Sequence, residues 1–374
     1  MFLEQLVRSC ELPAEGARVL DLCGAPGGKS THLAQLIGPR NLLVSNEVIR
    51  SRAAILSENL SKWGSPNVLV TQSDPSAFTE LEGFFDLVVV DAPCSGEGMF
   101  RSEAVRGEWS PAVTSLCSER QKRILQDVWP SLKRGGFLIY STCTFNPAEN
   151  EENIRWLCDT QETGAAGIDT LQFPGITTID AGGVACHAFH PGKTLGEGFF
   201  AAVVRKTGGC ERAEISIGRI KNKGIRIAEA GSLMRIADTE PERLIEAGRS
   251  FYSIPCSAGI YAYLSRSLNI IKPGVELGSF KNADLIPAHD LAMSVILKQG
   301  AFAEAEVSLS DAVSYLRLGS LSARLPERGW NVLTWKSVRL GFVNNIGSRT
   351  NNYYPRGWRV RMEVTSPEDI DIIK

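Results

Sequence analysis

Two cysteines stand in polar stretches that each follow an apolar run: Cys94 in Asp91-Ala92-Pro93-Cys94-Ser95-Gly96, and Cys143 in Tyr140-Ser141-Thr142-Cys143-Thr144. The runs before them, Phe85 to Val90 and Gly136 to Ile139, are short, β-branched or aromatic and flanked by glycine, as buried parallel strands are. If those strands are sheet neighbours, their ends lie about 5–10 Å apart, and one substrate atom can touch both thiols. The pattern outlines an active site with two cysteines.

A second chemical feature comes earlier, in Asp21-Leu22-Cys23-Gly24-Ala25-Pro26-Gly27-Gly28-Lys29-Ser30. Its glycines permit a tight turn and let a ligand approach backbone that a Cβ would block. A Walker A loop requires glycine five residues before Gly28, where Cys23 stands. A dinucleotide fingerprint requires Gly-x-Gly-x-x-Gly, which Gly24, Gly27 and Gly28 do not provide. What is left is an acidic strand end with a glycine turn, the looser arrangement used for S-adenosylmethionine, which has no pyrophosphate to cradle. Glu47, expected to end the next strand, is placed to accept hydrogen bonds from both ribose hydroxyls, and Asp74, past the third strand, to hold the adenine amino group. Either acid alone reads as a solvated loop residue; together, at successive strand ends, they form a specific set.

The elements that must position these residues alternate through the first two hundred positions. Arg18 to Leu22, Asn41 to Ser45 and Val68 to Val70 read as strands, with helices over Gly27 to Ile37 and Arg50 to Trp63 between them. A helix from about Ser115 to Leu132 is expected to stop at Lys133-Arg134-Gly135-Gly136, where basic residues face its C-terminus and glycine ends it. Asn146-Pro147-Ala148-Glu149 predicts a further helix start, with Asn as cap, Pro at the first position and Glu closing a capping-box-like pattern. Phe199 to Val204 supplies a late strand. Repeated βα units of this length predict an α/β fold, a doubly wound Rossmann-like parallel sheet with ligands at the strand C-terminal edge.

The 374 residues, 43% apolar and 22% charged, suffice for two or three domains with real cores. No apolar stretch approaches the ~18 residues of a membrane helix, and the N-terminus lacks the basic region of a signal peptide, so a cytoplasmic protein is expected. Nine cysteines without a Cys-x-x-Cys pair, beside four histidines, predict neither a disulfide framework nor a metal site. The formal net charge of −2 conceals segregation: residues 1–210 carry −6 and residues 211–374 carry +4. Between Arg324 and Arg361 the balance reaches +7, from Arg324, Arg328, Lys336, Arg339, Arg349, Arg356, Arg359 and Arg361 against Glu327. Interleaved with Trp330, Trp335, Phe342, Tyr353, Tyr354 and Trp358, this span suits phosphate contacts and base stacking, hence RNA. The competing reading makes the aromatics the core of a small β-domain with solvated arginines.

After Gly208-Gly209-Cys210, residues 211–296 show apolar runs broken by polar turns, with Ile225-Arg226-Ile227 and Gly259 to Tyr263 strand-like, and read as an α+β region. From about Ala305 a short helix over Ser310 to Leu316 and strands over Val332 to Trp335 and Arg359 to Met362 are expected. The implied boundaries are 1–206 for the catalytic domain, 207–296 for the intermediate region and 297–374 for the RNA-binding domain.

Four stretches together carry a resemblance: the glycine turn from Asp21 to Lys29, Asn46-Glu47, Asp91 to Arg101, and Ser141 to Pro147. The chain resembles the Sun-domain family of RNA (cytosine-5) methyltransferases. Met99-Phe100-Arg101 after Cys94 and the tail Asn351 to Trp358 are similar to a branch acting on bacterial small-subunit ribosomal RNA. The resemblance spans nearly the whole chain and implies a methyltransferase domain with S-adenosylmethionine as donor, a C-terminal PUA-like β-barrel that holds RNA, and a monomer whose partner is ribosomal RNA or the small ribosomal subunit. It implies that Cys23, Gly24, Ala25, Pro26, Gly27, Gly28, Lys29, Glu47, Asp74 and Asp91 form the donor site and that Cys143 is the nucleophile. Three departures stand out. Family members usually begin with an RNA-binding segment, whereas this chain starts eighteen residues before Val19, which reads as a fragment or a misassigned start. Gly24 replaces the more usual Ala and is expected to loosen the turn. His190 precedes Pro191 where the family tends to place Pro before His.

The chemistry explains the pair of thiols. Carbon 5 of cytosine is too weak a nucleophile until a thiolate adds to carbon 6. Asp91 is the carboxyl expected to serve ring N3 during that attack. Cys94 is expected to take the carbon-5 proton afterwards, directly or through water, so that the Cys143 adduct can eliminate. Lys29 lowers the thiol pKa values and orients Asp91. The alternatives are a transfer RNA cytosine-5 methyltransferase, a P-loop hydrolase in which Val88 to Asp91 imitates a Walker B strand, and a non-enzymatic assembly factor on a decayed methyltransferase fold.

Overall fold

In the computed structural model, which describes residues 2–166, 173–215, 227–282 and 284–362, the apolar runs around Val19, Val44, Val70, Val88 and Ile139 lie side by side in one sheet. They belong to the first of two units, comprising residues 1–60, 67–218 and 258–272. After helix α1 (Leu3–Ser9), strand β1 (Arg18–Asp21) leads through α2 (Gly28–Ile37) to β2 (Leu42–Asn46), and α3 (Arg50–Trp63) leads to β3 (Val68–Thr71). The chain then crosses back to β4 (Phe85–Asp91) and passes α4 (Glu103–Glu108) and α5 (Pro111–Val128) to β5 (Leu132–Thr142). Next come α6 (Glu151–Thr160), β6 (Thr163–Ala165), β7 (Thr177–Ala181), β8 (Val184–Phe189) and β9 (Phe199–Lys206).

Strand order is β3-β2-β1-β4-β5-β9-β8-β7, with a strand over Ile270–Lys272 beside β3 and β6 paired to β9. The core from β3 to β5 is parallel, with Asp21 opposite Val89 and Asp91 opposite Ser141. Strands β9, β8 and β7 run antiparallel beyond it. The chain winds outward from β1 to β3 and then returns to start β4 on the other side of β1. This reversal leaves a crevice at the C-terminal ends of β1 and β4, the topological switch point. Val19, Leu43, Val70, Leu87, Val89, Ile139 and Val203 are buried on one core face against Leu33 and Leu56 of α2 and α3.

Several local expectations are corrected. Helix α5 stops at Val128, because Trp129-Pro130 turns into a 3-10 segment where proline cannot continue the hydrogen-bond ladder. Lys133 to Gly136 accordingly lie inside β5, with Gly135 at φ +76°. Asn146 caps a 3-10 turn, Pro147–Glu149, by accepting from the Ala148 N–H, and α6 begins separately at Glu151. Gly259 to Tyr263 is helical, within a helix over Ala258–Ser267. Leu264 and, just past it, Leu268 are buried at helical i, i+4 spacing, a period that the five-residue run is too short to display.

The second unit comprises residues 61–66, 219–257 and 273–374. An antiparallel four-stranded sheet runs over Leu244–Ala247, Ser250–Ser253, Val275–Lys281 and Asp284–Pro287. A second sheet takes Ala303–Glu306, Gly329–Trp335, Val338–Asn345 and Thr350–Asn352, with the first pair parallel and the others antiparallel. The helix Leu309–Leu316 begins where Ser308 Oγ accepts from the Asp311 N–H. Ile225 and Arg226 lie outside the described residues, and Ile227 opens a helix rather than a strand. Arg359 to Met362 form no strand: past the turn Arg356–Trp358, the Val360 N–H is bonded to the Leu316 carbonyl. Among the described residues no helix is long and apolar enough to cross a membrane.

Candidate active site

The turns that leave β1, β2, β3, β4 and β5 at the switch point enclose a cavity of about 530 Å³. Cys23, Glu47, Asp74, Asp91, Cys94 and Cys143 all line it, together with Ala25. Lys29 joins them through Asp91, and Gly24, Pro26, Gly27 and Gly28 shape the turn behind. Gly27 takes φ +118° at the N-terminus of α2, a conformation that excludes a side chain.

The Gly24 departure has a different consequence from the one expected. A Cβ there would lie 2.4 Å from Ser45 Oγ and 2.8 Å from Ser30 Oγ. Those hydroxyls, 2.8 Å from each other, occupy the space a methyl would fill, so the turn is packed rather than loosened. Ser30 Oγ also donates to Asp21 Oδ2 at 2.7 Å. Asp21 is fully buried, and its Oδ1 has no partner among the described residues. Burial pushes its carboxyl up from 3.8 to about 7, the nearby Asp91 and Glu47 adding to the effect.

At the end of β2 the Glu47 carboxylate is buried, with Oε1 accepting from the Ile49 N–H at 3.0 Å and Oε2 lying 3.4 Å from Arg52. This acceptor is held in place and retains capacity for further donors, as a ribose diol requires. Beside it, Val48 and Ile49 keep 47% and 49% exposure while lining the cavity, opposite Pro75. An apolar pair at the mouth of a polar pocket suits the faces of an adenine ring. Asp74 caps the turn Pro75–Glu80, accepting from the Ser76 N–H and hydroxyl, and stands 3.8 Å from Arg123. The Ser76 N–H, more than Arg123, holds its carboxyl below the ordinary value. The residues present therefore fit an adenosyl donor, and three that border it, Val48, Ile49 and Arg52, were not among those singled out by the motifs.

The thiol end of the cavity is built on β4 and β5. Parallel pairing sets Asp91 opposite Ser141, whose hydroxyl donates to Asp91 Oδ1, and Lys29 donates to Oδ2, both at 2.7 Å. Three residues beyond Asp91 and two beyond Ser141, just past the strand ends, Cys94 Sγ and Cys143 Sγ come to 2.9 Å, and the Cys143 N–H donates to Cys94 Sγ at 3.3 Å. The two thiols differ in character. The hydrogen bond with Cys94, aided by Lys29, holds the Cys143 thiol below its ordinary value despite burial. The same bond and burial hold the Cys94 thiol well above its own. The arrangement favours the anionic form at Cys143 over Cys94, with the Lys29 cation nearby. Cys23 differs again, because burial, and then the nearby Asp21, Glu47 and Asp91, raise its thiol.

A buried polar network fixes this pair. Glu149, expected to close a capping box, instead turns inward: its carboxylate accepts from the Ser95 N–H at 2.9 Å, from the Ser95 hydroxyl, and from Gln121 Nε2 at 2.9 Å. Gln121 also donates to the Pro93 carbonyl, and Asn153 donates to Gln121 Oε1 at 2.8 Å. Both flanks of Cys94 are thus tied to one carboxylate with zero exposure. The signal for this in the sequence, a Gln and an acid near the two motifs, was indistinguishable from ordinary helix residues. His190 packs its ring 5.5 Å from Phe145, two residues after Cys143.

On the C-terminal unit, Arg324, Arg328, Lys336, Arg349, Arg356, Arg359 and Arg361 are exposed, and Arg339 is half-buried 3.5 Å from Glu304. The aromatics of this span divide, with Trp330, Trp335 and Trp358 half-buried. Phe342 and Tyr354 are buried, Trp330 packs edge-on to Phe342, and only Tyr353, at 40%, counts as exposed.

Comparison with known proteins follows this division. The family model described as 16S rRNA methyltransferase RsmB/F matches residues 11–205, and that described as the methyltransferase RsmF PUA domain matches residues 302–360. A ribosomal RNA small subunit methyltransferase F from Cronobacter sakazakii is 29% identical over 352 residues, covering 91% of this chain and 72% of the relative. Its namesake from an Enterobacter species is 30% identical over 353 residues with the same coverage. Among solved structures, NSun6 from Pyrococcus horikoshii with SFG is 28% identical with a TM-score of 0.48, over 55% of this chain and 51% of that one.

Proposed function

Because the chain belongs to the RsmB/F family of 16S ribosomal RNA methyltransferases, we propose that it methylates carbon 5 of a cytosine in small-subunit ribosomal RNA through a covalent bond to Cys143. S-adenosylmethionine, when bound, supplies an electrophilic methyl group. The observation that carries the proposal is the asymmetric thiol pair, 2.9 Å apart, at the edge of a cavity whose other end fits an adenosyl group.

The protein's residues divide the work as follows. Cys143, whose surroundings favour its anionic form, adds as the thiolate to carbon 6 and gives carbon 5 the electron density to take the methyl. Asp91, positioned by Lys29 and Ser141, serves ring N3, where negative charge develops. Lys29, 5.9 Å above the Phe199 ring, adds positive charge beside the attacked ring. Once Cys143 sulfur is bonded to carbon, the interaction that raised Cys94 lapses. Cys94, after its own thiol proton passes to solvent, takes the carbon-5 proton, directly or through water, the electrons of that C–H bond restore the ring double bond, and the carbon–sulfur bond breaks.

The test separates the thiols. Cys143→Ser abolishes turnover and yields no covalent RNA complex, since a neutral hydroxyl does not add at pH 7. Cys94→Ser methylates once and stalls as a protein–RNA complex that survives heating in detergent, seen by gel mobility with RNA and S-adenosylmethionine. A complex that accumulates with Cys143→Ser instead reverses the assignment. Bisulfite sequencing of ribosomal RNA from a deletion strain reads the substrate: loss at one or a few small-subunit cytosines is expected, and loss confined to transfer RNA overturns the substrate while leaving the chemistry.

A further inference from the structure

Behind the cysteine loop lies a second cavity of about 610 Å³, which the methyl-transfer chemistry does not use. It is lined by Glu97, Phe100 and Arg101, which follow Cys94, by Phe145, which follows Cys143, and by the segment containing Lys193. Its wall is joined to the reacting residue, because the Gly98 N–H donates to the Cys143 carbonyl at 2.9 Å and the Gly198 N–H to the Gly98 carbonyl at 3.1 Å. A Cβ at Gly98 or Gly198 would meet backbone or the Phe145 ring below 3.0 Å, so both glycines hold the cavity against the active site.

The polar content of this cavity is unusual. Glu97 is only 9% exposed. Its Oε1 accepts from Trp109 Nε1 at 3.0 Å and Asn146 Nδ2 at 3.1 Å, whereas its Oε2 has no donor among the described residues. That oxygen is not sealed from solvent, so it stays open to a donor that enters the cavity. Phe100 and Phe145 give aromatic walls, and Arg101 and Lys193 stand exposed at the rim, Arg101 paired with Glu197. Aromatic walls, a buried acceptor and rim cations are the components of a single-nucleotide site: stacking, base-edge reading and phosphate contact.

We propose that this cavity binds an unpaired nucleotide next to the target in the RNA, and that Glu97 reads an exocyclic amino group on its base. This rests on the reading that the substrate is RNA. A carboxylate accepts only, so it favours guanine, whose N1–H and N2 amino donors are adjacent, tolerates the single amino group of adenine or cytosine, and disfavours uracil, whose one N–H lies between two carbonyls. Glu97→Gln retains an oxygen for Trp109 and Asn146 and turns an amide donor to the cavity.

The experiment uses synthetic RNA oligonucleotides carrying one target cytosine, with each flanking nucleotide varied through guanosine, adenosine, cytidine, uridine and inosine. Binding and methyl transfer are both measured on the full chain and on Glu97→Gln. The wild type should prefer an amino-bearing base at one flank by roughly tenfold or more over uridine or inosine, the worth of a hydrogen bond to a charged group. Glu97→Gln should lose or invert that preference, and Lys193→Ala should lower the log–log salt slope of binding by about 0.7 without changing the preference. A Glu97 that only braces the loop would weaken all oligonucleotides alike and leave base preference unchanged, which overturns the proposal. Flank-dependent binding without methylation would sink the cytosine chemistry and leave this site standing; methylation indifferent to both flanks would do the reverse; no binding of any oligonucleotide overturns both.

Discussion

The candidate active-site edge and the C-terminal unit differ in the side chains that organise their buried parts. At the edge, Asp21, Ser30, Ser45, Glu47, Glu149, Asn150 and Asn153 are buried polar groups that hold loops by hydrogen bonds. In the C-terminal unit rings share the corresponding work with the buried Asp311, which accepts from Ser322: His289 meets Tyr354 and Trp358 edge-on at 5.2 Å, and Tyr315 meets Tyr354 at 5.4 Å. Hydrogen bonds fix the direction in which a thiol or carboxylate points, which chemistry requires, whereas ring packing fixes a shape and leaves the surface free to carry charge. The difference teaches that acids and aromatics, equally suggestive in a sequence, have different meanings in these two environments.

The largest test of the comparison is Glu149→Ala. It orphans three buried donors around Cys94 and should cost about 3–5 kcal/mol of stability and most of the methyl-transfer rate. Denaturant unfolding and single-turnover assays check both. Retention of stability and rate would show that the Cys94 loop is held by packing, as in the other unit.

Titration should then separate the two regions, because their buried groups shift in opposite senses. Asp21 is raised by burial from 3.8 to about 7, so the folded state keeps a proton that the unfolded state releases. Its contribution is present below about pH 4 and is lost as pH rises to about 7, on the order of 4 kcal/mol. His289 is lowered by burial from 6.5 to about 4, so its contribution is present above about pH 6.5 and is lost as pH falls to about 4, on the order of 3 kcal/mol. Thermal melts across this range should lose the first slope in Asp21→Asn and the second in His289→Gln. Unaltered slopes in both variants would mean that neither group titrates in isolation.

The smallest effect concerns the charged surface. Arg349→Ala, Arg356→Ala and Arg359→Ala together should lower the log–log salt slope of RNA binding by about 2 while leaving unfolding within roughly 0.5 kcal/mol of wild type. Phe342→Ala should do the converse, costing about 3–5 kcal/mol of stability through a core cavity. Equal salt slopes in the triple variant would place those arginines off the RNA path.

Most of the catalytic edge was legible because its residues are contiguous in motifs that follow apolar strands: an apolar run fixes a buried strand, and the polar residues after it must emerge at the sheet's end. Adjacency of the two strands, a condition in the sequence, was decided by the parallel pairing of β4 with β5, which brings Cys94 to Cys143. Glu149 was misread because local spacing offers an acid a capping role, while tertiary contact with Ser95 and Gln121 offers it three donors. Residues Gly259 to Tyr263, in the helix over Ala258–Ser267, were read as a strand for a related reason, since so short a run has no resolvable period and packing within the first unit decides between the two conformations. In the C-terminal unit the sequence by itself determined the positive charge, which solvent-exposed arginines retain in any arrangement. Only the tertiary structure decided that Phe342 and Tyr354 are core, because burial depends on what lies on the other side of the ring. The same holds for Gly24, whose missing Cβ leaves room that two serine hydroxyls from different elements fill, a complementarity carried by three-dimensional proximity and not by sequence distance.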